Sequence, residues 1–258
     1  MNQSFYIGAG GAQQQLYHLN VHGDNIANVN TYGFKANKSY FAALMYQNWP
    51  GVEAELPMGV GTRMLMTSTD YSQGAPSETG RALDFMIDGN GFFGLVDIAT
   101  GDVTFTRNGA FIMSQLEQET GEVDENGDPV VDENGDPVVE KVVYLGDNEG
   151  RFVLSERGGL IRIDNMNAPD EELPIGIFDY ANYDGMIQLD DTRYLPVDKN
   201  GNLWYGDGKL VRGYLELSNA DLADEITKVI EAQRAYTAAL KMVITSDEIE
   251  STINGLRN

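Results

Sequence analysis

His18 and His22 are the only two histidines in the 258-residue chain. Four residues apart, they fall on one face of a helix, the spacing at which two imidazoles can share a zinc ion. No glutamate stands between them as a HExxH arrangement requires, and the chain has no cysteine. Any further ligand would have to be a carboxylate, and Asp24 is the only nearby one. The pair therefore reads as part of a solvated or assembly surface. The same scarcity argues against a Ser-His-Asp device, whose histidine would sit in a terminal helix, remote in sequence from any pocket in the middle. Among 40 acidic residues, no pair is singled out for glycoside hydrolysis.

Two other patterns resemble binding loops. Gly89 to Gly94, GNGFFG, has the spacing of a dinucleotide-binding turn, but that turn needs a following helix whose N-terminus faces the pyrophosphate. Here LVDIATG follows, which reads as a strand and a turn. Asp124, Asn126 and Asp128, then Asp132, Asn134 and Asp136, alternate oxygens as the first ligands of a calcium loop do. The sixth position is proline, Pro129 or Pro137, and the twelfth, Gly135 or Val143, cannot supply a bidentate carboxylate. Turn chemistry is the simpler reading, and an acidic calcium-binding extracellular surface protein is the alternative function. No catalytic residue, metal ligand or cofactor is expected.

The elements that carry these residues divide the chain in three. From Phe5 to about Asn30 a helix is expected, with Ala9, Ala12, Leu16, Leu19, Gly23, Ile26 and Asn30 facing inward at three-four spacing. Its other face, with Gln13, Gln14, Gln15, His18, Asn20 and Asn25, is polar and nearly uncharged. Gly8, Gly10, Gly11 and Gly23 each cost this helix about 1 kcal/mol relative to alanine, so it needs a partner. A second helix starts after a Ser218 or Asn219 cap, with Asp221, Asp224 and Glu225 in or near its first turn. Leu222, Ile226, Val229, Gln233, Tyr236, Leu240 and Val243 form its stripe. The phase then moves to Ile249, Ile253 and Leu256, which predicts a kink or stutter near Thr245 to Asp247.

Between the helices the period changes to two, and Gly, Asn and Asp turns recur, as in short antiparallel strands. One hairpin is expected across Asp88-Gly89-Asn90-Gly91 and another across Asn108-Gly109 as a type I′ turn. Further strands are expected at Gly61–Thr69, Val142–Leu145, Phe152–Leu154, Leu160–Ile163, Ile175–Asp179 and Lys209–Leu217. The segment VDENGDPV occurs at Val123–Val130 and again at Val131–Val138. It lies within 117–140, an acidic stretch without a basic residue but Lys141 beyond it, which reads as an exposed insertion. The fold class is α+β: residues 1–40 and 218–258 form a terminal helical domain with coiled-coil-like pairing, and 41–217 a central, mostly antiparallel β domain.

Composition sets the limits of function. Against 40 Asp plus Glu stand 17 Lys plus Arg, a formal net charge of -23. Such a surface lacks the electrostatic drive for a phosphate backbone, so no nucleic acid partner is expected. No run approaches the roughly 20 apolar residues of a membrane span, and no membrane insertion is expected. The first twenty residues lack a basic n-region and a sustained apolar h-region, so export without a cleavable signal peptide is the expectation.

The segment DNIANVNTYGFK, Asp24 to Lys35, resembles the signature that ends the N-terminal helix in the bacterial flagellar rod and hook family. Asn25, Ile26, Ala27, Asn28, Thr31 and the Gly33-Phe34-Lys35 exit carry the likeness; Asp24 stands where the family commonly has a second asparagine. YSQGAPSETGRALDFMIDGNGFF, from Tyr71 to Phe93, and FTRNGAF, from Phe105 to Phe111, are similar to its central β signature. Leu215 to Glu248, with Gln233-Arg234-Ala235-Tyr236 at its centre, resembles its C-terminal helix. The resemblance implies a non-enzymatic basal-body subunit that polymerises axially through its terminal helices and transmits torque. The partners it implies are further copies, other rod and hook axial proteins, and the flagellar export apparatus. Assembly is expected at Leu16, Leu19, Asn25, Ile26, Asn28, Gly33, Phe34, Leu222, Ile226, Val229, Gln233, Arg234, Tyr236 and Leu240. Length favours a rod subunit over the hook protein, with the distal rod position ahead of the proximal one.

Overall fold

The computed structural model describes residues 3–44, 47–48, 57–119, 139–163, 173–190 and 192–256. Its contacts divide the chain into a helical unit, Met1–Ser72 with Ser218–Asn258, and a β unit, Gln73–Leu217. Residues 41–44 and 57–72, expected from their strand-like period to belong to the β domain, lie with the helices.

In the helical unit, α1 spans Gln3–Ala27 and α2 spans Leu222–Leu256. Helix α1 ends three residues before Asn30, because Asn28 turns its side chain onto Asp24, donating to that residue's carbonyl (3.2 Å) and carboxylate (3.3 Å). Gly33 then takes φ 72°, a left-handed value that favours glycine. The cap of α2 is neither Ser218 nor Asn219. Asp221 Oδ1 accepts from Ala223 N at 2.8 Å and Asp224 N at 3.4 Å, which satisfies two otherwise orphaned donors. Helix α2 runs 35 residues without interruption, so no break marks the expected stutter at Thr245–Asp247.

The helices lie antiparallel, as their cross-contacts fix: Ser4 meets Ser246, Gly8 meets Val243 and Ala239, and His22 meets Glu225. Their seam differs from the expected one. On α1 the buried residues are Gly8, Ala12, His22 and Asn25, largely one position off the apolar stripe. On α2 they are Glu225, Ala232 and Ser246, with Val229, Tyr236, Ala239, Val243 and Glu250 half-buried. These positions alternate by four and three from 225 to 250 and keep phase through 246. Small residues let the helix axes approach closely. A Cβ on Gly8 would stand 3.0 Å from Val243 Cγ2.

After α1, the strand Asn37–Ala43 pairs antiparallel with Thr62–Thr69 in a two-stranded ribbon, with a bulge between Tyr40 and Phe41. Gln14 of α1 accepts Met64 N–H at 2.7 Å, so the ribbon is tied to the helix.

In the β unit the largest sheet has nine strands among the described residues. Its path runs Ile187–Gln188, Arg193–Leu195, Val103–Thr106, Phe92–Val96, Phe152–Val153, Val139–Gly146 and Ile112–Glu119, with Ile177–Tyr180 also paired to Phe92–Val96 and Leu203–Tyr205 paired to Ile177–Tyr180. Phe85, Ile87, Phe93, Leu95, Phe111, Leu145, Val153, Ile161 and Ile175 form its core.

Neither expected hairpin forms. Phe85–Asp88 pairs with Lys209–Arg212, while Phe92–Val96 pairs with Val103–Thr106. The intervening turn sends the chain to a different ladder, and the Gly89 carbonyl is taken by Arg107 Nη2 at 2.8 Å. At Asn108-Gly109 neither residue has positive φ, so there is no type I′ turn. Asn108 instead accepts from Ala110 N at 3.1 Å, and Gly109 is required because a Cβ there would lie 1.7 Å from the Phe85 carbonyl oxygen. GNGFFG does run into a strand and a turn, as its sequence reads. The stretch Leu160–Ile163 makes only isolated bridges, and Lys209–Leu217 splits into two strands at Gly213, φ 78°.

A buried ion pair closes this unit. Arg107 Nη1 donates to Glu216 Oε2 at 3.2 Å, its guanidinium carbon sits 5.4 Å from the Phe92 ring centroid, and Glu216 Oε1 accepts from Gly74 N at 2.8 Å.

The helix seam makes its two kinds of glycine distinguishable by urea denaturation of the isolated chain. Gly8→Leu should destabilise by about 1–3 kcal/mol through overpacking against Val243. Gly23→Ala, with nothing within 4 Å of the added carbon, should stabilise by about 0.5–1 kcal/mol. Equal effects would contradict this seam.

Candidate assembly interface

The two helices are joined at one end by polar side chains. Glu225 is 4% exposed, and it is held by three donors or potential donors. His22 Nδ1 lies 2.5 Å from Oε2, Asn25 Nδ2 donates to Oε2 at 3.0 Å, and Lys228 Nζ donates to Oε1 at 3.1 Å. Burial pushes the Glu225 carboxyl up, but the hydrogen bonds from His22, Asn25 and Lys228 outweigh it and hold the group below its ordinary range. Burial lowers Lys228, and its bonds to Asp224 and Glu225 more than restore it, leaving it raised.

Asn25, fully buried, works in two directions. Besides reaching Glu225 it donates from Nδ2 to the Asn37 carbonyl at 2.8 Å and accepts from Asn37 N–H at 2.8 Å. One amide thus ties α1, the first residue of the ribbon and α2 together. Thr31 Oγ1 donates to Asn28 Oδ1 at 3.0 Å, which shapes the exit toward Gly33. Phe34 is fully buried beyond it.

A second amide closes the other side. Asn219 accepts from Ala36 N–H at 2.7 Å and donates to the carbonyls of Asp70 (2.7 Å) and Ser72 (3.0 Å). The buried Lys35 Nζ also donates to the Ser72 carbonyl, at 2.7 Å. Lys38 pairs with Asp70 at 2.6 Å. Burial alone would raise Asp70, but the bonds from Lys38 and Ser72 hold it below its ordinary value.

The residues expected to assemble fall into two groups. Asn25, Asn28, Gly33 and Phe34 are buried, and Leu19, Ile26, Val229 and Tyr236 are half-buried. Leu16, Leu222, Ile226, Gln233, Arg234 and Leu240 are exposed, so they do not join the helices of one chain. Gln233 and Arg234 line a shallow groove with Thr237, Ala238 and Lys241. With Ile230, Met242, Ile244, Ile249, Ile253 and Leu256 the exposed apolar residues make α2 hydrophobic away from α1 as well.

Sequence reasoning missed His22, Glu225 and Asn219 as joining residues. A readable signal existed: Ala232, Ala239 and Ser246 recur every seven residues, and Glu225 lies seven before the first. The histidine pair does meet, Nε2 to Nε2 at 2.8 Å, with Glu225 rather than Asp24 beside it. Among the described residues no group of three or more His, Cys, Asp or Glu could hold a metal. The Asp124 to Asp136 pattern and its duplicated segment lie outside the described residues. No described helix is long and apolar enough to cross a membrane.

Comparison with known proteins covers the same regions. Residues 5–35 match the family described as "Flagella basal body rod protein", and residues 211–256 match "Flagellar basal body rod FlgEFG protein C-terminal". The flagellar basal-body rod protein FlgG of Bacillus subtilis is 32% identical, with both chains covered completely. The protein of that name from Buchnera aphidicola subsp. Schizaphis graminum is 30% identical over 99% of this chain and all of its own length. The flagellar hook protein FlgE of Salmonella typhimurium is 37% identical, but over only 43% of this chain and 26% of its own.

The joining residues should separate from the exposed ones by stability. Asn25→Ala removes its two hydrogen bonds to the Asn37 backbone and a donor from Glu225, for an expected loss of about 2–4 kcal/mol in chemical denaturation. Leu16→Ala should cost under about 1 kcal/mol. The reverse order would refute this division.

Proposed function

The chain belongs to the flagellar basal-body rod protein family, and we infer that it is a structural subunit of the bacterial basal-body rod, polymerising axially through its terminal helices to transmit torque. The observation that carries this reading is the division of labour on α2. Mostly small or β-branched residues and the buried Glu225 face α1, while most of the large aliphatic residues face outward. A monomer that leaves so much apolar surface uncovered is built for a partner. Burying each such side chain contributes about 1.5–3 kcal/mol, so a row of them along a helix roughly 50 Å long sums to firm association.

The partners that fit are further copies and other rod and hook axial proteins, reached after passage through the export apparatus. The helix pair reads as a coiled-coil-like assembly domain, and the β unit as the body it carries. End-to-end likeness to rod relatives, against partial likeness to a hook protein, supports a rod position, and the relatives' shared name supports the distal one. Location in the basal body follows from the same membership. The family is structural, and no catalytic role is part of this reading.

Deleting the gene and imaging the flagellar base should show rods absent or truncated and motility lost; intact rods would overturn the assignment. A sharper test is the double variant Ile226→Glu with Leu240→Glu. Both positions are exposed, so the monomer should keep its stability within about 1 kcal/mol. Polymer should disappear in sedimentation and rods in electron micrographs. Normal rods from this variant would move the interface off that face.

A further inference from the structure

At the end of the helix pair nearest the ribbon, one run of hydrogen bonds crosses from α2 into α1. It passes from Lys228 to Glu225, from Glu225 to His22 Nδ1, and from His22 Nε2 to His18 Nε2 at 2.8 Å. The imidazole rings stand edge to face with centroids 4.4 Å apart, and His18 meets the Phe41 ring at 5.1 Å. His22 is 3% exposed, so it has no room to turn away.

A bond between two Nε2 atoms contains a single proton, with one ring donating and the other accepting. Because Glu225 occupies His22 Nδ1 as an acceptor, that nitrogen carries its own hydrogen. The pair can then hold no charge or one positive charge and keep the bond. Two positive charges require a hydrogen on both Nε2 atoms, which point at each other, and the bond becomes a repulsion between adjacent cations.

We propose that His18, His22 and Glu225 form an acid-sensitive latch, which holds α1 to α2 at neutral pH and opens when the histidine pair takes up a second proton. The latch is a property of the chain itself and does not rest on the rod reading.

The charged surroundings are mixed. From α2, Glu225 and Glu231 favour protonation of His18 while Lys228 opposes it. Asp224 is occupied by Lys228 at 2.6 Å. The ribbon contributes Lys38, paired with Asp70, and α1 contributes Asp24. Burial first, then His22 and Lys228, holds the His18 imidazole below its ordinary 6.5. The unfolded chain therefore binds that proton more readily than the folded one. The stability from the latch is whole above about pH 6.5 and is lost as pH falls below it through the depressed folded value. Glu225, held below its ordinary value, remains ionised across this window. Farther along the seam, Gly8 against Val243 and Ser4 against Ser246 offer nothing that titrates there.

The test uses the full chain in dilute solution. Hydrogen exchange corrected for intrinsic rates should show α1 amides losing protection several-fold between about pH 7.5 and 5.5, while β-unit amides stay level. His18→Gln, which can still bond to His22 but does not titrate, should abolish that dependence. Equal pH dependence in both proteins overturns the latch. Should the variant already be open at pH 7.5, imidazole NMR of the unmodified chain decides. His18 titrating below 6.5, and rising in His22→Gln, supports the latch; His18 titrating at 6.5 or above overturns it.

Discussion

A carboxylate buried between two helices must be met by donors, and at Glu225 two of the three come from the opposite end of the chain. His22 and Asn25 stand about 200 positions away in sequence and bring α1 to α2 at this point. Removing one partner of such a buried charge costs about 3–5 kcal/mol, so the contact fixes which face of each helix turns inward. Asn25 then passes the constraint on to the ribbon through Asn37. The β unit repeats the device, with Glu216 buried against Arg107 and the Gly74 N–H. In both units a glutamate late in the chain closes what an early segment begins.

Once Glu225 sets the rotation of α2, the rest of its surface follows from the helical repeat. Steps of three and four from Glu225 reach Val229, Ala232, Tyr236, Ala239, Val243 and Ser246, five of which are small or β-branched. The larger aliphatic residues Leu222, Ile226, Ile230 and Leu240 are thereby turned outward. Inside, short side chains permit close contact through backbone and Cβ atoms, as at Gly8. Outside, long side chains remain for another surface. Under the proposed assembly, folding of one chain and association between chains would draw on different residues.

Much of this was legible in the residues, and the failures share a cause. The α+β class, both terminal helices and most strands follow from periodicity and turns. The Asp24–Lys35 segment singles out Asn25, Asn28, Gly33 and Phe34, but as assembly positions and not as the buried joint they form within one chain. Periodicity misplaces the helix seam, because it sends large apolar residues to the inside, a rule suited to a monomer whose core is complete. The hairpins failed for a related reason. Asn108-Gly109 has the composition of a tight turn, yet its glycine answers to the Phe85 carbonyl from another ladder, and a local reading contains no information about that neighbour. Nor does local reading pair His22 with Glu225, since nothing in either segment names the other.

The helical unit is discontinuous, with the whole β unit threaded between its halves. Synthesis delivers α1 first and α2 last, so during translation Gly8, His22 and Asn25 emerge with no complement. The β unit, whose residues 73–217 are contiguous, can close while the chain is still growing. The helical unit cannot, because the carboxylate that orients it follows the β unit in sequence. Its completion is therefore timed by chain length: a nascent or truncated product lacking α2 has its β unit intact and its N-terminal segment still without a partner.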